Sequence, residues 1–239
     1  MDYEEFNYQS LSRDSQLEMS AAFPVLMRKV YLWMTLALVI TGFTAYAVAN
    51  SSAMINLIYS NSAVIWILFG AELLLVFGLS AAINRLSLTV ATLMFVLYSV
   101  INGAVLSSIF FAYSIGSIAT TFFITAGTFA AMSIYGYFTK ADLTSWGKIL
   151  IMALIGIIIA TIVNIFVKSS GLDLIISYAG VLIFVGLTAY DTQKIKLMCQ
   201  QAPDAGENMQ KIALLGALSL YLDFINLFIY LLRIFGRRE

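Results

Sequence analysis

Long uninterrupted runs of apolar residues dominate the pattern along this chain, separated by short polar stretches. Crossing a hydrocarbon core of about 30 Å takes roughly 20 apolar residues in a helix. About seven runs meet that length. They are 30–49, 63–83, 88–111, 118–138, 148–167, 174–192 and 212–234.

Continuous apolarity, punctuated by Gly, Ala and Ser, is typical of packed membrane helices, whereas the strands of a membrane barrel alternate in polarity. The connections are short, and the longest, 193–211, contains Ala-Pro-Asp-Ala-Gly. The pattern therefore predicts an all-α polytopic membrane bundle of about seven helices. We expect an acidic cytoplasmic tail over 1–24 and one membrane domain over 25–239.

Composition supports this fold class and excludes several functions. Of 239 residues, 61% are hydrophobic and 11% charged, and the mean hydropathy is +0.92. The chain has one cysteine, Cys199, and no histidine, so common zinc and haem ligand sets are incomplete and we expect no cofactor. The net charge of +0 gives no electrostatic footprint for nucleic acid.

The distribution of basic residues predicts a cytoplasmic N-terminus. With that orientation only Lys168 lies outside before the C-terminal tail, and nine basic residues lie inside. Seven full spans would place the C-terminal arginines outside, against the same rule, so the last segment could be unusual or re-entrant. The inner residues are Arg13, Arg28, Lys29, Arg85, Lys140, Lys148, Lys194, Lys196 and Lys211.

Three acidic residues fall inside the predicted spans: Glu72, Asp191 and Asp223. Each costs roughly 2.5–3.5 kcal/mol at a helix centre on insertion scales. Asp191 lies about one turn from the inner end of the sixth span, and Asp223 lies two or three turns from the inner surface. The two aspartates could therefore meet at similar depth.

The seventh span carries a polar stripe that includes Asp223. Its members recur at spacings of four, three, four and three, which places them on one helix face. Such a stripe predicts a central position in the bundle or a border with a water-filled path. The stripe comprises Ser219, Asp223, Asn226, Tyr230 and Arg233.

Two carboxylates a few Å apart in a low dielectric tend to share one proton and titrate as a pair. Asp191 and Asp223 are thus a candidate pH-sensing and gating pair. The structural alternative is that these acids only bond neighbouring helices, through Thr188, Tyr190 or Asn226.

Two further charged residues are candidates for a latch or for the pore lining, together with Asn226, Ser219 and Tyr230. Arg85 lies some 20 Å from Glu72 along the helix at ~1.5 Å per residue, so Glu72 needs a partner on another helix. In the structural alternative, Glu72 only forms a hydrogen bond with a neighbour such as Asn102 or Asn164. Arg85 is either a topology anchor or a latch for an aspartate.

Two strings carry a family resemblance: Thr188-Ala-Tyr-Asp-Thr-Gln-Lys and Leu220-Tyr-Leu-Asp-Phe-Ile-Asn-Leu-Phe. Together they resemble the paired signature of the Bax inhibitor-1 (transmembrane Bax inhibitor motif) family. Further similarity, covering nearly all but the acidic tail, comes from Asn102-Gly-Ala, Thr139-Lys-Ala-Asp-Leu-Thr-Ser, Phe77-Gly-Leu-Ser and Asn84-Arg-Leu-Ser.

This resemblance implies a seven-helix fold whose last helix is surrounded by the other six, with a pH-sensitive aspartate latch. It also implies a calcium leak, in which Asp191 and Asp223 would form the latch and contact calcium transiently, with Arg85 as a further partner. The expected partners are the lipid bilayer, calcium ions and protons. Because the chain is short and carries no organelle signal, we expect a bacterial protein of the cytoplasmic (inner) membrane.

Other functions compete with the leak. A regulatory membrane protein that binds and modulates another membrane protein would have the same sequence features. An intramembrane aspartyl protease would share Tyr190-Asp191 but requires Gly-x-Gly-Asp at the second aspartate, where this chain has Tyr-Leu-Asp, so we expect no enzyme activity. A proton-coupled transporter usually shows inverted repeats and interrupted helices, which are not evident here.

Overall fold

The computed structural model describes the backbone of 3–200 and 206–237 and the side chains of 22–200 and 206–237. All regular elements in these ranges are helices. They are α1 (Tyr3–Ala49), α2 (Ser52–Tyr59), α3 (Ser62–Ala82), α4 (Leu88–Leu106), α5 (Ile109–Ala112), α6 (Ile115–Phe138), α7 (Thr144–Val167), α8 (Ser170–Gln200) and α9 (Glu207–Phe235).

Seven segments in these ranges are long and apolar enough to cross a bilayer, which confirms the predicted fold class. Besides shifts of several residues at helix ends, three features were not predicted from the sequence. The loop after α1 contains the short helix α2, the third span breaks near Ser107 into α4 and α5, and α8 continues to Gln200. The predicted boundary between tail and membrane domain at 24/25 stays a prediction, and α1 runs through it with Pro24 inside the helix.

Helix α9 lies at the centre of the bundle, as the polar stripe predicts, and it is the most buried of the seven segments. Ala213, Leu214, Ala217, Leu220 and Leu227 on this helix are fully buried. Small and large apolar residues on successive turns let neighbouring helices pack against several of its faces.

Around α9 the helices form two layers. Helices α1, α4, α6 and α8 pack directly on α9, while α3 packs on α4 and α7 packs on α8. The other six spans therefore surround the last one in two layers, with α3 and α7 in the outer layer. Both present large apolar side chains such as Leu74 and Phe166 on the outside of the bundle, which matches a lipid environment.

Side-chain contacts place the predicted cytoplasmic loops at one end of the bundle, here called the inner end. Lys211 Nζ, on α9, donates to the carbonyl of Leu86 at 3.1 Å, and Leu88 N donates to Glu207 Oε1 at 3.0 Å. Polar groups thus join the α3–α4 loop to the start of α9. The opposite, outer end carries an ion pair between Arg233 and Asp173, 3.7 Å apart.

Glycines divide into two groups. A Cβ at Gly103, Gly136, Gly147, Gly180 or Gly186 would collide with a neighbouring helix, so these positions set close helix approaches. At Gly42, Gly70, Gly127 and Gly156 a Cβ would meet nothing within 4 Å. These four glycines therefore lie on open faces and do not set a close helix approach.

Candidate gating site

Asp191 lies on a segment of α8 that two glycines hold in place. Gly136 on α6 lies directly against the backbone of Ala189, and Gly147 on α7 lies against the ring of Tyr190. On the other side of Asp191, Thr192 Oγ1 donates to Ser133 Oγ at 3.4 Å. Both flanking positions are therefore fixed by neighbouring helices.

Gln193 fixes the same segment to the loop between α6 and α7. Its Oε1 accepts a hydrogen bond from Leu143 N at 2.9 Å, and its Nε2 donates to the carbonyl of Ala141 at 2.8 Å. Lys196 Nζ, one turn further, donates to the carbonyl of Tyr137 at 2.7 Å. Residues of the Tyr-Asp-Thr-Gln motif thus also attach α8 to α6, to α7 and to the loop between them.

A cavity of about 190 Å³ opens between α3, α8 and α9 at the inner end. The half-buried Asp191 contributes to its wall, as do the hydroxyls of Ser80 and Ser219. Lys194 also lines it and is close enough for its charge to act on Asp191. From the sequence, Lys194 was predicted only as a topology charge, although its spacing of three residues from Asp191 places both residues on one helix face.

Asp223 is 5% exposed, and its Oδ2 has no hydrogen-bond partner among the described residues. It lies close enough to Asp191 for the two carboxylates to interact electrostatically. A buried carboxylate oxygen without a partner normally costs free energy. The structure thus brings the two predicted aspartates together and leaves one of them incompletely satisfied.

The alternative that the aspartates only bond neighbouring helices gains no support at Asp223 Oδ2, which has no hydrogen bond among the described residues. Thr188 Oγ1 donates to the carbonyl of Phe184 on its own helix at 2.7 Å. Asn226 Nδ2 likewise donates to Leu222 O at 2.8 Å. Neither of these two groups satisfies the buried oxygen.

The other members of the α9 stripe separate along the helix. Ser219 lines the inner cavity. Tyr230 is half-buried in the outer half, where its ring packs against the backbone at Gly180 and stacks on Phe184 with centroids 5.9 Å apart. Arg233 is exposed at the outer end. The polar stripe of α9 therefore lies in different surroundings at its inner and outer ends.

Arg85 is exposed in the α3–α4 loop. Within the described part of the chain it forms no ion pair with either aspartate. Its role as a latch stays a prediction.

Glu72 belongs to a separate polar network near the middle of the bundle. Its Oε1 accepts a hydrogen bond from Asn102 Nδ2 on α4 at 3.0 Å, as the structural reading predicted. Asn102 Oδ1 in turn accepts one from the Tyr221 hydroxyl at 3.0 Å. That hydroxyl lies 2.7 Å from Thr41 Oγ1 on α1. The network joins α3, α4, α9 and α1.

Neither Tyr221 nor Thr41 was predicted from the sequence as part of a polar network. Tyr221 precedes Asp223 by two residues and lies off the polar stripe, and Thr41 is a single hydroxyl in an apolar run. The one signal in the sequence is that the Tyr221 hydroxyl lies in a mainly apolar string, because a buried tyrosine hydroxyl usually has a hydrogen-bond partner.

Metal-binding capacity at the site is small. Across 22–200 and 206–237, no three acidic, cysteine or histidine side chains cluster to hold a metal ion. Asp191 and Asp223 could supply two carboxylates, and the wall of the cavity adds the Ser219 hydroxyl. Calcium takes six to eight oxygen ligands in its stable sites, so this set could offer only a partial shell.

Comparison with known proteins agrees with the signature strings. Inner membrane protein YbhL of Escherichia coli K12 is 51% identical over 227 residues, covering 95% of this chain and 97% of the relative. An uncharacterized protein of Borreliella burgdorferi is 50% identical over 217 residues, covering 89% and 92%. An uncharacterized membrane protein of Streptococcus pyogenes serotype M1 is 39% identical over 219 residues, covering 88% and 92%.

A family model described as "Inhibitor of apoptosis-promoting Bax1" matches residues 24–239. The match covers all seven membrane segments apart from the first two residues of the first one. The two aspartates, their flanking motifs and the central α9 all lie inside it. The chain is therefore an integral membrane protein that belongs to the Bax inhibitor-1 family.

Proposed function

We propose that this protein is a pH-sensitive calcium-leak channel gated by the Asp191–Asp223 pair. One observation carries the proposal: the buried Oδ2 of Asp223 has no partner among the described residues, and Asp223 interacts with a second carboxylate that lines an inner cavity. A merely structural acid would be expected to have its oxygens satisfied.

The gating mechanism follows from electrostatics at the α8–α9 contact. When the pair shares a proton, one negative charge remains and the two helices stay together. When that proton leaves, two like charges repel in a region with little water, which favours separation of α8 from α9. Opening would extend the cavity at Asp191 towards Asp223. Flux should therefore increase as pH rises.

Calcium is the proposed permeant ion because the pair offers hard oxygen ligands. Two carboxylates, the Ser219 hydroxyl and the side-chain oxygen of Asn226 would form an incomplete shell. Weak coordination suits passage, since an ion must leave its site as readily as it enters. Protons and calcium would thus compete for the same carboxylates.

We propose residence in a cytoplasmic (inner) membrane with the N-terminus in the cytoplasm. The Escherichia coli relative is named an inner membrane protein, and the basic loops 83–87 and 139–143 lie at the same end of the bundle as Lys194 and Lys211. We propose no catalytic role, because the second aspartate lacks the Gly-x-Gly-Asp context of aspartyl proteases.

The test is calcium entry into dye-loaded proteoliposomes over a pH series from acidic to mildly alkaline. We expect flux to rise with pH in the unaltered chain and this dependence to disappear in Asp191→Asn and Asp223→Asn. The matched control is Glu72→Gln, an equally conservative change of a membrane acid that already has a partner, and it should keep the dependence.

Three outcomes would count against the proposal. Unchanged pH dependence in both aspartate variants would refute the gate. Loss of the dependence in Glu72→Gln alone would move the gate to the Glu72 network. Absence of flux in the unaltered chain would favour the alternative, a regulator that binds another membrane protein.

A further inference from the structure

An open groove runs between α1 and α6. Across the described residues α1 makes no extensive contact with α6, although both pack on α9. The groove has a volume of about 500 Å³, and Phe224 of α9 forms its floor. It opens sideways past exposed residues of α6 such as Ile134 and Phe138.

The groove lies within the depth of the membrane segments. On α6 its lining extends from Phe122 to Phe138, which is ~24 Å at 1.5 Å per residue. One leaflet of a hydrocarbon core of about 30 Å is roughly 15 Å thick. The α6 wall is therefore long enough to lie along one acyl chain, and the α1 wall, from Tyr31 to Leu38, covers ~11 Å of it.

A second cavity of about 240 Å³ continues the groove towards the outer end and shares Leu38, Phe122 and Phe224 with it. Phe122 divides the two, with its ring centroid 5.5 Å from that of Phe224 and 6.3 Å from that of Phe228. The larger cavity thus belongs to the inner part of the bundle.

The lining identifies the chemistry of the occupant. Apart from a few hydroxyls it is apolar, with Met34, Leu38, Ala126 and Phe129 among its members. Water gains few hydrogen bonds there, and an empty groove would leave its walls without dispersion contacts on one side. The surrounding bilayer supplies acyl chains at this depth.

Polar and charged groups lie at the inner end of the groove, where a headgroup would be. Tyr31, Ser133 and Tyr137 contribute hydroxyls to that part of the lining. Lys196 Nζ lies 5.0 Å from the centroid of the Tyr137 ring, and the exposed Lys140 follows α6 closely. These two cations complement a phosphate at the membrane surface.

We propose that the α1–α6 groove binds an acyl chain of an inner-leaflet phospholipid, with its phosphate near Lys196 and Lys140. The chain contacts the central helix at Phe224, beside Asp223. The bound lipid is thereby part of the packing of α9. Lipid binding in the groove requires neither the aspartate pair nor a calcium leak.

The first test is photo-labelling in proteoliposomes with a phospholipid that carries a diazirine in its acyl chain, followed by peptide mapping. We expect label on Phe224, which faces the groove, and none on Leu227, which is fully buried on the same helix and does not line it. Phe166, 80% exposed on α7, reports ordinary bilayer contact. Label at Phe166 with none at Phe224 would overturn the proposal.

The second test is native mass spectrometry of the detergent-purified protein. We expect phospholipid to remain on the unaltered chain and to be lost from Ala130→Trp, which fills the groove. Ala131→Trp is the matched control, because Ala131 is the neighbouring exposed alanine outside the groove, and it should retain lipid.

Retention of lipid by Ala130→Trp equal to that of the control would contradict the proposal. Chemical cross-linking of two chains through groove residues in liposomes would instead identify a second copy as the occupant. If Ala130→Trp fails to fold, labelling of Phe224 in the unaltered chain still decides the matter.

Discussion

Two acid-bearing regions of this bundle differ in how their carboxylates are satisfied. Glu72 receives a hydrogen bond from Asn102, which is itself bonded to Tyr221. Asp223, two residues from Tyr221 along α9, has a buried oxygen with no partner among the described residues and a second carboxylate nearby. No buried side-chain oxygen or nitrogen of the first region lacks a partner among the described residues, whereas one buried oxygen of the second does.

Burial of an acid in a membrane segment can therefore have two different consequences. A carboxyl group inside a hydrogen-bonded network holds helices together. A buried carboxyl group beside another one opposes close packing whenever both are charged. The first arrangement favours a structural role and the second favours a switch.

The largest effect is expected from a change at the α6–α8 contact that holds Asp191 in position. Gly136→Leu should prevent normal folding, because the new side chain would meet the backbone of Ala189. Overpacking typically costs about 1–3 kcal/mol and can cost more where the neighbour is backbone. The measurement is the yield of monodisperse protein by size-exclusion chromatography.

Gly127→Leu is the control on the same helix, since a Cβ at Gly127 meets nothing within 4 Å. It should give a normal yield. Equal yields from both variants would show that the α6–α8 contact does not hold Asp191 in place.

A smaller effect is expected in the hydrogen-bonded network around Glu72. Asn102→Ala leaves Glu72 without its amide donor and Tyr221 without an acceptor, and we expect a loss of roughly 1–3 kcal/mol of stability. Thermal unfolding in detergent measures it. Asn226→Ala removes an amide that donates only to its own helix, so a larger loss there than at Asn102 would contradict the network's role.

The smallest expected effect has the opposite sign. Asp223→Asn leaves a side chain that cannot become charged and repel Asp191, and we expect a small gain in stability. The gain should increase with pH, because the unaltered pair becomes fully charged. Thermal unfolding at acidic and alkaline pH tests this. A loss of stability at alkaline pH would place Asp223 with Glu72 as a structural acid.

Much of the fold could be predicted from the sequence. The apolar runs correctly predicted the seven segments, because a span depends on local composition. The polar stripe correctly predicted the central position of the last helix, because polar groups facing lipid cost free energy. The break at Ser107 and the extension of α8 to Gln200 escaped prediction. Helix ends in polar regions depend on contacts with other helices, which local sequence does not show.

The site was predictable in part. The spacing of Asp191 and Asp223 from the inner end indicated that they could meet, and the structure brings them within electrostatic range. The spacing did not show that Ser219 and Tyr230 would serve different depths, nor that Lys194 would share the cavity with Asp191. A helical face is continuous, but the helices packed against it change along its length.

By itself, the sequence determined that this is a helical membrane protein with two aspartates at similar depth, because hydrophobic length and periodicity are local properties. Tertiary structure alone decided which acid has a partner, where α1 and α6 leave a groove, and which glycines touch a neighbour. These features depend on distances between helices far apart along the chain. Such distances follow from the packing of all the helices together.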